Sequence, residues 1–386
     1  MTPQIESKLP HVGTTIFTVM SALALECQAV NLGQGFPDFE CDPRLIDAVT
    51  DAMRKGLNQY PSMLGVPELR QAVSDKIDRL YGRRYDPGTE ITITAGATQA
   101  IINAVLAVVR EGDEVIVLEP CYDSYIPNIE LAGGKVVRVP LTPGSFRPDL
   151  DRIAAAITPR TRMLMINSPH NPSATVWTHA EMLKLQELLE PTSIILLSDE
   201  VYEHMVYAPM RHLSAASYPK LAERAFVISS FGKTYHVTGW KVAYCAAPAS
   251  FTTEYRKVHQ FNVFTVNTPV QYGLAQYMAD PEPYLQLPAF YQRKRDLFRQ
   301  GLAQTQFKLL PSEGSYFQCA RIDALAVPEK NLSEADFCLW LTREIGVAAI
   351  PLSAFYADGF DQRVIRFCFA KKDETLQTAL QRLSKL

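Results

Sequence analysis

Between residues 43 and 280 short aliphatic and β-branched runs alternate with helix-period segments, and this alternation restricts the chain to a parallel sheet with crossover helices. The runs predict strands at Ile91 to Thr94, Glu114 to Leu118, Lys135 to Val139, Met163 to Asn167, Ile194 to Ser198 and Ala225 to Ser229. Residues 101–110 (IINAVLAVVR) are too apolar for a surface helix and fit one packed hard against that sheet. Past the Asp280-Pro-Glu-Pro283 break, a charged helical stretch at 285–305 leads to the strand-like pieces SYFQCA and RVIRFCFA, the pattern of a smaller α+β domain. A helix from Ile16 to Glu26 is expected to pack on that smaller part. The division expected is an N-terminal arm with part of the small domain (1–40), a large domain (41–283) and a C-terminal small domain (284–386).

Such a fold needs a large core, and 386 residues with 47% hydrophobic content supply it, which excludes a disordered chain. The 38 Lys+Arg and 41 Asp+Glu residues leave a net charge of -3 without single-sign runs, so nothing marks a nucleic-acid or anionic-membrane surface. Small-molecule chemistry is the class that remains. Seven scattered cysteines (Cys27, Cys41, Cys121, Cys245, Cys319, Cys338, Cys368) form no C-x-x-C pair, so no metal site is expected and the thiols read as reduced core residues. Met1 to Pro10 has no apolar targeting core, and no stretch reaches the roughly 18 apolar residues of a membrane span. A cytoplasmic protein is expected.

Ligands of open α/β sheets sit at the carboxyl ends of the strands, and four strand ends carry informative residues. Ile91 to Thr94 is followed by Ala95-Gly96-Ala97-Thr98 and a long helix, where small residues let backbone N–H groups and the helix dipole approach a phosphate. Packing alone would select the same residues, and Glu119 offers a rival reading as the ribose-binding acid of a dinucleotide fold, though G-x-G-x-x-G is missing. The second end, Asn167-Ser-Pro-His-Asn171-Pro172, is a proline-stiffened loop that can hold an amide rigidly over a ligand or form a simple Asx turn. In the third, Ser198-Asp199-Glu-Val-Tyr202, a carboxylate ends an apolar strand and needs a cationic partner such as a pyridinium nitrogen, unless it caps the next helix. Tyr202 could reach the same ligand from the first helical turn. The fourth, Ser230-Phe-Gly-Lys233 through Gly239-Trp-Lys241, brings two lysines out of a buried strand among Phe231, Tyr235 and Trp240, where desolvation makes an amine a usable nucleophile.

These segments, with NLGQGFPDF (31–39), LNQYPSMLGVPELR (57–70), GDEVIVLEPCYDSY (112–125), VHQFNVFTVNTP (258–269), EGSYF (313–317) and VIRFCFAKKDETL (364–376), resemble the fold-type-I class I and II aminotransferases. The resemblance runs nearly the full length and is strongest to the kynurenine, glutamine and methionine aminotransferase branch. It implies an α/β chain of the PLP-dependent transferase fold type I, with a mostly parallel seven-stranded sheet flanked by helices in the large domain and a smaller α+β domain. It also implies pyridoxal 5'-phosphate as cofactor, Lys233 as the Schiff-base lysine and proton shuttle, Asp199 on the pyridine nitrogen, and Tyr202 with Asn171 on the 3-oxygen. Gly96, Ala97, Thr98, Ser230 and Lys241 would hold the phosphate, Tyr60 would reach it from the second subunit of a homodimer, and Tyr122 would stack on the ring. Arg366, with Asn171 and the Gly35 backbone, would bind the substrate carboxylate. Position 241 is Arg in much of the superfamily and Lys here, as it tends to be in the named branch.

Arg366 also has a reading of its own: a charge inside the apolar run Val364 to Phe369 needs a partner, and its fork matches a carboxylate bidentately, with an internal salt bridge as the alternative. The aromatic residues Phe17, Phe36, Tyr60, Phe264 and Tyr316 are candidates for the substrate pocket, unless they simply pack the core. With no second arginine to assign, an amino acid donor of the methionine, aromatic, glutamine or kynurenine type is expected, with a 2-oxo acid acceptor. C–S β-elimination on the same lysine is the alternative reaction. A regulator carrying this kind of domain would need a DNA-binding module, for which no segment is found.

Overall fold

The computed structural model describes residues 5–325 and 332–386; of the N-terminal stretch read for targeting, residues 1–4 lie outside them. Seven strands make one sheet in the spatial order Ile91–Thr94, Ala243–Ala246, Ala225–Ser230, Ile195–Asp199, Thr161–Asn167, Glu114–Glu119, Lys135–Pro140. From Ala225–Ser230 to Lys135–Pro140 every neighbouring pair is parallel, whereas Ala243–Ala246 runs antiparallel to both its neighbours. All positions of Glu114–Glu119 and Ile195–Asp199 are buried, as expected of parallel strands covered by helices on both faces.

All six strands expected from the sequence are present, Ile91–Thr94 with the expected bounds and the other five with shifted edges. Thr161–Asn167 begins before Met163, and Ile195–Asp199 starts and ends one residue late, which makes Asp199 the last residue of its strand. The seventh, Ala243–Ala246 (AYCA), has no β-branched residue, unlike the equally short Ile91–Thr94 (ITIT), and so shows no strand signal in the sequence. The helix expected at 101–110 runs over Ala97–Val108, so its first turn begins directly after Gly96.

Beyond the helix Leu287–Leu302 an antiparallel sheet orders Ile350–Pro351, Val364–Cys368, Phe317–Arg321 and Lys308–Leu309. Arg366 lies on an inner strand of this sheet, opposite Cys319 on one side and Ile350 on the other. Val30–Asn31 pairs with Val347–Ala348, so the segment that follows helix Ile16–Glu26 is tied to the same part of the molecule. No helix of the described residues is long and apolar enough to cross a membrane.

Candidate active site

The carboxyl ends of the large sheet face residues 17–35 and the Phe317 and Arg366 strands across a cavity of about 280 Å³. Asp199 reaches it from the end of its strand. Its Oδ2 accepts a hydrogen bond from the Tyr125 hydroxyl at 2.5 Å and its Oδ1 one from the Val201 N–H at 3.3 Å. Burial pushes the Asp199 pKa up to about 6 against the pull of those bonds, so the group is a carboxylate at neutral pH. The next residues form a non-helical turn, so Asp199 caps no helix, and Tyr202 lines the cavity from that turn rather than from a helical one.

Lys233 stands in a short helix, Phe231–Thr234, where the sequence suggests a loop. Its Nζ donates to the Gly35 carbonyl at 3.1 Å and to the Tyr316 hydroxyl at 2.7 Å. Burial is the main cause that lowers its pKa to about 8, and the nearby Arg366 charge adds to the effect.

At the other end of the cavity Gly96 has φ +84, a region that L side chains rarely adopt, and a Cβ there would sit 3.2 Å from both Cε and Nζ of Lys241. Gly96 is the N-cap of Ala97–Val108 and no side chain caps that helix. Its first N–H groups therefore open toward the Lys241 ammonium and the Ser230 and Thr98 hydroxyls, which line the same space. Tyr122 also lines it, with its hydroxyl 3.5 Å from Thr98 Oγ1.

Arg366 is fully buried and has no carboxylate partner among the described residues. Its two terminal nitrogens donate to Asn171 Oδ1 at 2.6 Å and to the Gly33 carbonyl at 3.0 Å, neutral partners in place of the internal salt bridge that was the alternative, and Gly35 and Asn171 line the same cavity. Its Nε has no hydrogen-bond partner. The guanidinium is sandwiched by the rings of Phe317 at 4.0 Å and Phe355 at 4.9 Å, with Phe17 at 5.5 Å.

Four expected pocket aromatics are elsewhere in this chain. Tyr60 and Phe264 lie on the surface, 81% and 43% exposed, in edge contact with each other. Phe36 is half exposed beneath the Lys371 ammonium, outside the cavity. Tyr316 is completely buried behind Lys233. Glu119 accepts from the Ala357 N–H at 3.1 Å and pairs with Arg138 at 3.4 Å, a structural use that leaves no ribose site there.

Sequence reasoning missed Tyr125, Asn167 and a buried cluster around Glu203. Asn167 donates to the Asp199 carbonyl and accepts from the Asn171 N–H, joining the two loops. Glu203 pairs with Lys76 at 2.5 Å and accepts from Tyr81, Tyr244 and Ser229. The only signal for these residues is position, since Tyr125 and Glu203 fall inside the segments that carry the chemistry. Among the described residues no three metal-ligating side chains cluster.

Comparison with known proteins agrees with this geometry. Residues 28–383 match the family "Aminotransferase class I and II". The chain is 50% identical to methionine aminotransferase of Escherichia coli over 99% of its length and 98% of the relative's. It is 34% identical to kynurenine–oxoglutarate transaminase 1 of Rattus norvegicus, over 100% and 99% of the two chains. Its fold superposes on the crystal structure of Escherichia coli YbdL, identified as having a methionine aminotransferase function, with a TM-score of 0.97, 50% identity and full coverage of both chains. A Thermus thermophilus aspartate aminotransferase double mutant superposes with a TM-score of 0.90 at 29% identity, again over 100% of both chains. These relatives favour amino transfer over C–S elimination, and proteins of this family and fold depend on pyridoxal phosphate in general. A parallel sheet whose strand ends gather an acid, an amine and an anion cradle, matched over nearly the whole length by proteins of one kind, makes the chain a member of the class I and II aminotransferases.

Proposed function

We propose that this cavity holds pyridoxal phosphate and moves the amino group of a non-acidic L-amino acid to a 2-oxo acid. Methionine and aromatic amino acids are the preferred donors in this reading, with glutamine and kynurenine as further candidates. The residues present fit the cofactor: the Gly96 cradle with Lys241, Ser230 and Thr98 suits a phosphate, Asp199 a ring nitrogen, and Asn171 with Tyr202 a phenolic oxygen. Bound pyridoxal phosphate supplies an aldehyde for exchange with amines and a ring that draws electrons from the substrate Cα.

The chain's own residues do the rest. Arg366 binds and orients the α-carboxylate, and the rings around it exclude water and strengthen that contact. Lys233, as a free amine lining the cavity, would be the base that removes the Cα proton and would hold it for delivery across the substrate nitrogen. Asp199 keeps a negative charge where the ring nitrogen must stay protonated. A 2-oxo acid acceptor then runs the sequence in reverse, giving ping-pong kinetics.

The observation that carries the reading is the buried guanidinium of Arg366, unpaired with any acid among the described residues and facing the same cavity as the Lys233 amine. No second arginine lines that cavity among the described residues, which argues against a donor with a distal carboxylate. Adding methionine to the cofactor-loaded protein is expected to shift its near-visible absorbance and release a 2-oxo acid, while aspartate does neither. A spectrum that responds to no amino acid overturns the assignment. Arg366→Gln is expected to lose about 2–5 kcal/mol of transition-state binding, roughly 30-fold to several-thousand-fold in kcat/KM for methionine, mostly through KM.

The pKa shifts set a pH window for cofactor uptake. Only the neutral Lys233 amine can react, and its pKa of about 8 means that the uptake rate climbs with pH to about 8 and then levels off. An unburied lysine would keep climbing toward about 10.4. At the acid end, the hold on the ring weakens as Asp199 protonates near pH 6. A stopped-flow rate still rising in proportion to hydroxide above pH 9 would contradict the burial of Lys233.

The exposed aromatic pair Tyr60 and Phe264, with Phe261 at 87% exposure, supports a homodimer in which Tyr60 reaches the partner's phosphate site. Seven free cysteines support a cytoplasmic setting.

A further inference from the structure

We propose that Tyr316 is a positioning residue for Lys233: its hydroxyl and the Gly35 carbonyl together occupy both N–H bonds of the neutral amine and so turn its lone pair toward the cavity. The proposal rests on Lys233 being the reacting amine.

The hydrogen-bond inventory dictates the arrangement. A phenol has one proton, and Tyr316 donates it to the Gly35 carbonyl. Its oxygen is left as an acceptor, and the Lys233 amine donates to it at 2.7 Å. The same amine donates to the Gly35 carbonyl at 3.1 Å. A neutral primary amine has two N–H bonds and one lone pair, so with both N–H bonds directed at the wall the lone pair points into the remaining open direction. Lys233 lines the cavity, and that direction is where an aldehyde carbon or a Cα proton would be met.

The hydroxyl cannot swing away from this task. The Tyr316 ring has no exposed surface and is locked edge-on by Tyr202 at 5.1 Å and Phe317 at 4.9 Å. Gly35 is held in turn, because a Cβ there would sit 3.1 Å from the Phe317 ring. Desolvation lowers the Lys233 pKa to about 8, so the neutral form that this arrangement orients becomes the major one above about pH 8 rather than above the ordinary 10.5. A substrate-wall role, the expectation from the sequence, does not explain a hydroxyl turned away from the cavity and onto the lysine.

Tyr316→Phe removes one oxygen and keeps the ring. Cofactor-free protein is mixed with pyridoxal phosphate and the absorbance rise followed from pH 7 to 10. The plateau rate at high pH, where every Lys233 is neutral, is expected to fall about tenfold or more, because the amine is no longer aimed. In the loaded enzyme kcat is expected to fall by a similar factor while KM for methionine moves less than about twofold. A purely structural role would instead lower the melting temperature and leave the plateau rate alone, so a plateau within about twofold of the unaltered chain overturns the proposal. If the unaltered chain takes up no pyridoxal phosphate at Lys233, it is the functional reading that fails.

Discussion

Lys233→Ala is expected to abolish transamination while the protein remains folded. Loss of the general base alone costs roughly 10²–10⁴-fold in rate, and loss of the covalent attachment adds to that, so turnover should vanish from a standard assay. The near-visible absorbance of the bound cofactor should go with it, and borohydride treatment should leave no labelled peptide around residue 233. Stability should not fall. Lys233 has a folded pKa of about 8 against an ordinary 10.5, so below pH 8 the folded chain carries an ammonium that burial penalises. Between pH 8 and 10.5 the unfolded chain binds more protons than the folded one, and stability rises with pH. Lys233→Ala removes that penalty and that slope, which calorimetry at pH 7 and pH 10 would detect. Retained turnover in this variant would refute the assignment of the amine.

Lys76→Met is expected to give the largest loss of stability. Lys76 and Glu203 are 5% and 1% exposed and lie 2.5 Å apart, in a cluster with Tyr81, Tyr244, Ser229 and His204. Burial by itself would raise the Glu203 pKa, but the Lys76 ammonium beside it more than reverses this and holds the group ionised. Taking away the ammonium leaves a buried charge without its counter-ion, a change that costs about 3–5 kcal/mol. Lys76→Met combined with Glu203→Gln should recover part of the loss, since the remaining amide carries no charge. A single variant as stable as the parent, measured by urea unfolding, would show that the pair is not the anchor described here. Function should suffer too, because this cluster pins the turn after Asp199 to the strand that leads to Lys233.

How far the sequence could be read depended on whether the information was local. Strands such as Glu114–Glu119 and Ile195–Asp199 show as unbroken apolar runs because both their faces are covered, and a run of that kind is visible to anyone counting residues. Ala243–Ala246 shows nothing, since four residues that pair antiparallel between two other strands owe their place to those neighbours. The same contrast holds in the site. Asp199, Lys233 and Arg366 betray themselves as charges set in apolar surroundings. Tyr125 does not, because a tyrosine after a turn is unremarkable until the fold carries its hydroxyl to Asp199 across 74 positions of sequence. Lys76 and Glu203 read as ordinary helix and turn charges, and only their meeting across 127 positions shows that both are buried.

Arg366 and Tyr316 mark the boundary most clearly. The sequence alone determined that a guanidinium would be buried in an apolar strand, that an amine and an acid would stand at strand ends, and that a glycine-led turn would open a helix N-terminus. Tertiary structure alone decided what each would meet. Arg366 is satisfied by an amide and a carbonyl, which leaves its charge uncancelled and available to a carboxylate. Tyr316 leaves the substrate wall for the lysine. The physical reason is that burial preference is written in the residue type and its spacing, whereas a hydrogen bond needs two atoms at a set distance and angle, and chain segments hundreds of residues apart acquire that geometry only once the fold has closed.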